Sequence, residues 1–560
     1  MNPLFTQSPP HLGDQFAGDP FLREYLRRAV PAEVWRDIES ELAELGAASG
    51  GELLDLQARD RLNEPRLVPW DPWGNRVDRI ELTPLWQRAA SVAARYGLVA
   101  IPYESRHGRY SRIHQFAAVY LFHPSSDLYT CPLAMSDGAA RALVASGNAA
   151  LIERALPRLT SRDPERAWTS GQWMTETTGG SDVGTSATRA VPTDDGRWRL
   201  YGKKWFTSAA TSEMALALAR PEGNGPGGAN LALFYLETRN ADGSPNGIQV
   251  ERLKEKLGTR KLPTAELLLD GTVAHAVCGT TNGTRNIEPM LRITRAWNSV
   301  TAAAFMRRAV ALARAYSRER EAFGARLDAL PLHRETLADL EVATRAATLL
   351  AFELVGLIGR DEAGEIDDEQ RALLRLLTPV VKLLTAKQAV AVVSEAIEAF
   401  GGQGYIEDTG LPVLLRDTQV LPIWEGTTNV LALDALLRAD VEAGLEALRH
   451  RIRAAVEKAP AALDDLASAA AAAVEHAARW VRAARDRRDT QAGARRFAYT
   501  VGCALELALL IEHARWAARE ERGAGATAAA RRFARAPTDV IRDGDADDTA
   551  AVLDAMATGR

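Results

Sequence analysis

Glu425 stands between Trp424 and Gly426 in Leu421-Pro-Ile-Trp-Glu-Gly-Thr-Thr-Asn-Val430, with apolar residues before it and small polar ones after. Apolar walls raise a carboxylate's pKa towards neutrality, and glycine lets another molecule approach the backbone closely. A carboxylate in such a place suits the removal of a proton from carbon. Taken alone, the decapeptide reads first as an exposed loop acid; the rest of the chain reverses that order. Two further stretches could do chemistry. In Met174-Thr-Glu-Thr-Thr-Gly-Gly-Ser-Asp-Val183 a strand runs into a Gly-Gly-Ser turn. Its amides and hydroxyls can cradle a phosphate or the polar edge of a heterocycle, or simply close a β-turn. In Gly202-Lys-Lys-Trp-Phe-Thr-Ser208 the indole of Trp205 lies two residues from the hydroxyl of Thr207, so strand alternation puts both on one face. That pair can stack on a planar ring while bonding its edge; a core tryptophan is the alternative.

The elements that must position these groups follow from periodicity. Up to about Leu159 the spacing is helical: Val34, Ile38, Leu42 and Leu45 share a face, and TPLWQRAASVAARYGL repeats the pattern. Pro69 to Arg76, with Trp70 and Trp73, reads as a turn-rich loop. His107, His114 and His123 match no metal-ligand spacing. Near Trp168 the period changes. Six β-type runs follow (QWMTET, RWRLYGKKWFT, EMALALAR, ANLALFYLET, GIQVERL, AELLLDGTVAHAV), enough for a compact barrel or sandwich. PEGNGPGG is a hairpin-type loop with no helix pattern behind it. From Ile287 the helical period returns, and Gly401-Gly402 closes one long helix. The expected class is α+β: an N-terminal arm and helical domain (1–170), a middle β-domain (171–286), a C-terminal helical domain (287–440) and a helical extension (441–560).

Composition sets the outer limits. The chain has 560 residues, 46% hydrophobic and 25% charged, which suits a globular protein of several domains. A net charge of −5 gives no global attraction to nucleic acid. Cys131, Cys278 and Cys503 are far apart, which argues against disulfide and zinc frameworks. MNPLFTQSPPHLGDQF lacks a basic-then-apolar signal, and Val501 to Ile511 is short and interrupted by Glu506. The expectation is a cytoplasmic protein without membrane insertion.

MTETTGGSDV, GKKWFTSA, RERxAFG, EAFGGQGY and LPIWEGTTN, in this order over residues 60 to 440, resemble the acyl-CoA dehydrogenase family of FAD enzymes. Phe5-Thr6-Gln7, WDPWGNRVDRIELTPLW, CPLAM, ERLKEKLGTR and the extension are similar to its AidB-like branch. The resemblance implies a catalytic base at Glu425, with Arg295 close to it; Thr294 stands where some members carry the base instead. For FAD it implies Thr175 at the pyrimidine ring, Ser181 near the pyrophosphate, Trp205 beside the isoalloxazine and Thr207 at N5. Arg320 and Phe323 would reach a neighbouring subunit's FAD, and Gly402, Thr427 and Asn429 would add contacts. Pro331 and Glu398 depart from the family, which often has glutamine at both places. The implied reaction is α,β-dehydrogenation of an acyl-CoA to a trans-2-enoyl-CoA in fatty acid metabolism. Its partners would be an electron-transfer flavoprotein or another acceptor, in a homo-oligomer (tetramer or dimer). An alternative is a flavoprotein of the DNA alkylation response that binds DNA, through Arg482, Arg485, Arg488, Arg495 and Arg496. The same cluster, near Arg479 and Arg487, also fits a solvated helix face, and Asp543, Asp545, Asp547 and Asp548 favour that.

Overall fold

Asp19 opens the first helix: its carboxylate accepts from the Leu22 amide at 3.0 Å, Pro20 fills the first turn, and Phe21, Leu22, Tyr25 and Leu26 are buried. In this computed structural model residues 7–483, 487–542 and 546–558 are described, with the backbone alone for 487–489, 546, 547, 557 and 558. Phe5, Thr6, Arg485, Asp486, Asp543 and Asp545 lie outside the described residues, as do the side chains of Arg487, Arg488, Asp489 and Asp547. The first helix, α1 (Pro20–Ala29), leads to α2 (Ala32–Gly50), α3 (Pro84–Arg95), α4 (Ser111–Phe122), α5 (Thr130–Ser146) and α6 (Ala149–Leu159). The turn-rich stretch expected around Trp70 and Trp73 is the turn, residues 71–75, of an antiparallel hairpin whose strands, β1 (Arg66–Trp70) and β2 (Arg76–Glu81), were not foreseen. Pro69 is tolerated because the two strands pair only with each other. His114 and His123 are buried in α4 and just after it, and burial pushes both imidazoles down to about 3.

The six expected β-runs correspond to β3 (Ser170–Trp173), β5 (Trp198–Ser208), β6 (Met214–Pro221), β7 (Ala232–Glu237), β8 (Ile248–Leu253) and β9 (Thr264–Ala276); a seventh, β4 (Arg189–Pro192), was not foreseen. Ladders run β6–β4–β5–β9–β7 and return to β6 through the antiparallel β6–β7 pairing, so the sheet closes into a barrel. Trp173, Leu200, Ala215, Ala217, Phe234 and Leu267 belong to its apolar core. The barrel also encloses an ion pair. Lys204 Nζ donates to Glu176 Oε1 at 2.7 Å and to the Leu218 carbonyl at 2.8 Å, and both side chains are buried. Glu176 further accepts from Thr188 Oγ1 and the Ala187 amide, each at 2.6 Å. A buried carboxylate satisfied this fully is an anchor. It pins the Thr175–Ser181 turn to the barrel.

Beyond the barrel come three long helices, α7 (Glu288–Glu319), α8 (Pro331–Glu362) and α9 (Asp368–Glu398), which pack on one another. Two short ones follow, α10 (Leu411–Thr418) and α11 (Thr428–Leu433). The extension holds α12 (Val441–Val456), α13 (Asp464–Ala483) and α14 (Arg487–Arg519). Helix α14 crosses α9 closely: a Cβ on Gly502 would lie 2.6 Å from Leu384 Cδ2 and 3.3 Å from Val380 Cγ1. It also reaches α1, where Arg28 Nη1 meets Glu512 Oε2 at 3.4 Å and Phe21 packs edgewise on His513. Pro331–Glu362, Asp368–Glu398 and Thr490–Arg519 are long and apolar enough to cross a membrane, which a reading of residues 501 to 511 alone does not show. Their apolar windows are 78%, 78% and 83% buried inside the protein, so core packing accounts for their composition.

Candidate active site

Glu425 occupies a left-handed backbone conformation, φ +58°, and Gly426 follows at φ +105°. A side chain on Gly426 would strike Leu431, 2.9 Å away, so this turn requires glycine twice over. For Glu425 the conformation costs on the order of 1–3 kcal/mol and persists only if its surroundings impose it. They do so from two helices. From α7, Arg295 Nε donates to the Glu425 carbonyl at 3.3 Å, and Asn298 Nδ2 donates to the Leu421 carbonyl at 3.2 Å. From α9, Lys382 Nζ donates to the Gly426 carbonyl at 2.7 Å. The carboxylate itself is held by Thr294, whose Oγ1 donates to Glu425 Oε2 at 2.5 Å. Arg295 is fixed in turn by Asp434 at 2.9 Å, so its charge bears on the loop and on Asp434.

Burial holds the Lys382 amine down to about 7; the Glu425 carboxylate pulls it up and Arg295 pushes it down. On the α5 side Cys131 faces the same carboxylate, and burial with that charge pushes its thiol up to about 12, although Lys256 opposes this. Lys256 belongs to ERLKEKLGTR. It donates to the Thr259 and Leu262 carbonyls and to Thr264 Oγ1, at 2.6, 2.7 and 2.9 Å, and burial holds it down to about 8. The same segment clamps the helix before Glu425. The Thr259 amide donates to Asp417 Oδ1 at 2.6 Å, and a Cβ on Gly258 would lie 2.3 Å from the Arg416 carbonyl oxygen.

The barrel residues form a second cluster. The Trp205 amide donates to the Thr175 carbonyl at 3.0 Å, joining the two stretches read from sequence. Strand register is irregular between Lys204 and Thr207, so the simple alternation expected for Trp205 and Thr207 is broken. Thr207 turns inward, buried, and donates to the Ala265 carbonyl at 2.5 Å. Trp205 is half-buried with the Lys254 ammonium 3.3 Å from its ring centroid, and Lys254 is also paired with Glu266 at 2.7 Å. The side chains of Thr175, Ser181, Thr427 and Asn429 make no hydrogen bond to other described residues, and the last three are exposed.

Arg320, Phe323 and Gly402 come together elsewhere, in a groove of about 900 Å³ with Tyr316, His333 and Glu398 on its walls. Phe323 is 96% exposed there. Pro331 starts α8, where its fixed φ suits a first turn, and Glu398 ends α9 beside the groove. In the extension, Arg482 and Arg495 are exposed and Arg496 is half-buried, flanking the connection between α13 and α14. Sequence reasoning missed Lys382 and the donor role of Thr294. Lys382 sits inside an apolar helix pattern, where an unpaired lysine was the available signal.

Residues 7–165 match the family described as adaptive response protein AidB N-terminal domain, 171–272 the acyl-CoA dehydrogenase middle domain, and 281–440 the acyl-CoA dehydrogenase C-terminal domain. Acyl-CoA dehydrogenase family member 11 of Caenorhabditis elegans is 48% identical over 441 residues, 77% of this chain and 72% of that protein. AidB of Escherichia coli is 32% identical over 72% of this chain and 74% of its own length. The crystal structure of C. elegans ACDH-11 in complex with C11-CoA superposes with a TM-score of 0.93 at 41% identity, covering 97% of this chain and 94% of that one. The chain therefore belongs to the acyl-CoA dehydrogenase family of oxidoreductases, with an AidB-type N-terminal domain ahead of the barrel.

Proposed function

We propose that the protein is an FAD-dependent acyl-CoA dehydrogenase in which Glu425 removes the α-proton of an acyl-CoA thioester, the product being a trans-2-enoyl-CoA. The observation that carries this is the Thr294–Glu425 contact. One carboxylate oxygen receives the Thr294 hydroxyl at 2.5 Å, leaving the other to accept a proton. Trp424 is half-buried and Cys131 fully so, and together they limit water around the carboxylate. Arg295 keeps the loop in place through the Glu425 carbonyl.

The residues present fit FAD. Thr175 and Ser181 offer hydroxyls without partners among the described residues, and Trp205 offers a half-exposed indole. Thr207 joins them only by turning its hydroxyl from Ala265. Thr427, Asn429 and Gly402, with Arg320 and Phe323, would serve a cofactor shared across a subunit interface. FAD, when bound, supplies the acceptor for the β-hydride. An electron-transfer flavoprotein or oxygen would then reoxidise it. C11-CoA, the ligand of the C. elegans structure, makes acyl chains near that length the first substrates to test. Exposure of Arg482 and Arg495 is all that supports a DNA-contacting role, and we do not adopt it. Glu425→Gln should keep its yellow flavin and lose about 10²–10⁴-fold in anaerobic flavin bleaching by acyl-CoA, because an amide cannot take the proton. Bleaching at the parent rate would overturn the assignment.

A further inference from the structure

Lys382 is 0% exposed, yet no carboxylate pairs with it among the described residues. Its one hydrogen-bond partner there is the carbonyl oxygen of Gly426, at 2.7 Å. Burying an amine in the middle of a helix is costly unless it is used. The place where it is used is the peptide immediately after Glu425, at a turn where two consecutive residues have positive φ. Without a donor at that carbonyl, the Gly426 peptide is free to rotate and the turn loses one of the two side chains that hold the Glu425 and Gly426 carbonyls. The other, Arg295, acts at 3.3 Å on the preceding carbonyl.

We propose that Lys382 is the positioning residue of the base: its amine fixes the Gly426 carbonyl and thereby holds the Glu425 carboxylate against Thr294. The inference rests on Glu425 being the base. The surrounding helix is arranged to keep Lys382 in place. Pro379 lies one turn before it in α9, and Val380 and Leu384 on either side are the residues against which Gly502 of α14 is pressed.

The test uses the purified flavoprotein and two readouts. Lys382→Met keeps the length and apolar stem of the side chain and removes the donor. It should lower kcat by about 100-fold, the usual cost of misplacing a catalytic group by an ångström, with KM for the acyl-CoA held within about twofold. Flavin content and melting temperature should stay near those of the parent. The second readout is exchange of the α-protons of a 3-thiaacyl-CoA in D2O. That thioester has no β-hydrogen to give up, so exchange reports on the base alone, and it should fall in parallel with kcat. Lys382→Gln, which retains an N–H donor, should recover part of both, and it carries the test if the methionine variant does not fold. A kcat within about threefold of the parent, or slow turnover with parent-like exchange, overturns the proposal. A parallel loss of flavin and of folded protein in both variants would mean a merely structural lysine, and also overturns it. Glu425→Gln separates the two claims. Exchange that persists there removes the base and this inference together, whereas exchange lost there but intact in Lys382→Met removes this inference alone.

Discussion

Thr175 and Glu176 show how a candidate site residue and a core residue share one stretch. Thr175 is half-buried and its hydroxyl has no partner among the described residues, while its neighbour Glu176 is buried and bonded to Lys204, Thr188 and Ala187. Removing the carboxylate in Glu176→Ala strands the ammonium and should cost roughly 3–5 kcal/mol in chemical denaturation. Flavin retention should fall with it, because the Thr175–Ser181 turn loses its anchor. Residues of this kind were only partly legible. Glu425, Trp205 and Thr175 stood out because their neighbours in the chain are chemically unusual. The bonds that fix Glu425 come from 131 and 130 residues away, and the one on Gly426 from 44, so local spacing carries no trace of them. The inward turn of Thr207 was equally hidden, since an irregularity in strand register has no residue signature here.

Helices and strands were read well where their period was long and clean. The three long C-terminal helices and six of the seven barrel strands fall where the hydrophobic pattern puts them. The misses have causes: β4 is four residues long and ends in Pro192, and the Trp70 hairpin carries Pro69 and is only half-buried. Within α14, Glu506 interrupts an apolar run and was taken as a break, yet it is fully buried against α9. Gln388 Nε2 donates to both its oxygens at 2.9 Å. Burial pushes its carboxyl from 4.5 up to about 8, and the Gln388 bond only partly offsets this. Across that window the folded chain keeps a proton that the unfolded chain has released, so stability is greatest at the acid end and falls as pH rises. The neutral acid also has an acceptor beside it, since Gln388 Oε1 is buried without a partner among the described residues. Glu506→Gln should therefore gain stability relative to the parent between about pH 5 and 8 and converge with it towards pH 4, measured by thermal melts in matched buffers. A parallel pH dependence in both proteins would mean that Glu506 is ionised in the fold.

Over the whole molecule, the barrel comes in the chain between two sets of helices that pack on each other, and ERLKEKLGTR ties it to the helix that precedes Glu425. The groove around Arg320 leaves Phe323 96% exposed beside walls that include Tyr316, His333 and Glu398. If a second copy covers it, as the sequence resemblance implies, Phe323→Asp should shift the protein towards smaller species in light scattering. The fold of one chain should be left intact, with circular dichroism unchanged. An unchanged mass would place the interface elsewhere.

The contact between α1 and α14 has a consequence in time. Arg28 and Glu512 are 484 residues apart, so at ~5–20 residues per second the ribosome separates them by roughly 25–100 s. Until α14 emerges, the Phe21 face of α1 lacks its His513 contact and α9 lacks the helix that presses on Val380 and Leu384. Helix α11, which follows Glu425, also packs on α14. The turn that carries Glu425 is thus among the last parts of the molecule to be set, after the surfaces around it have already waited in the open.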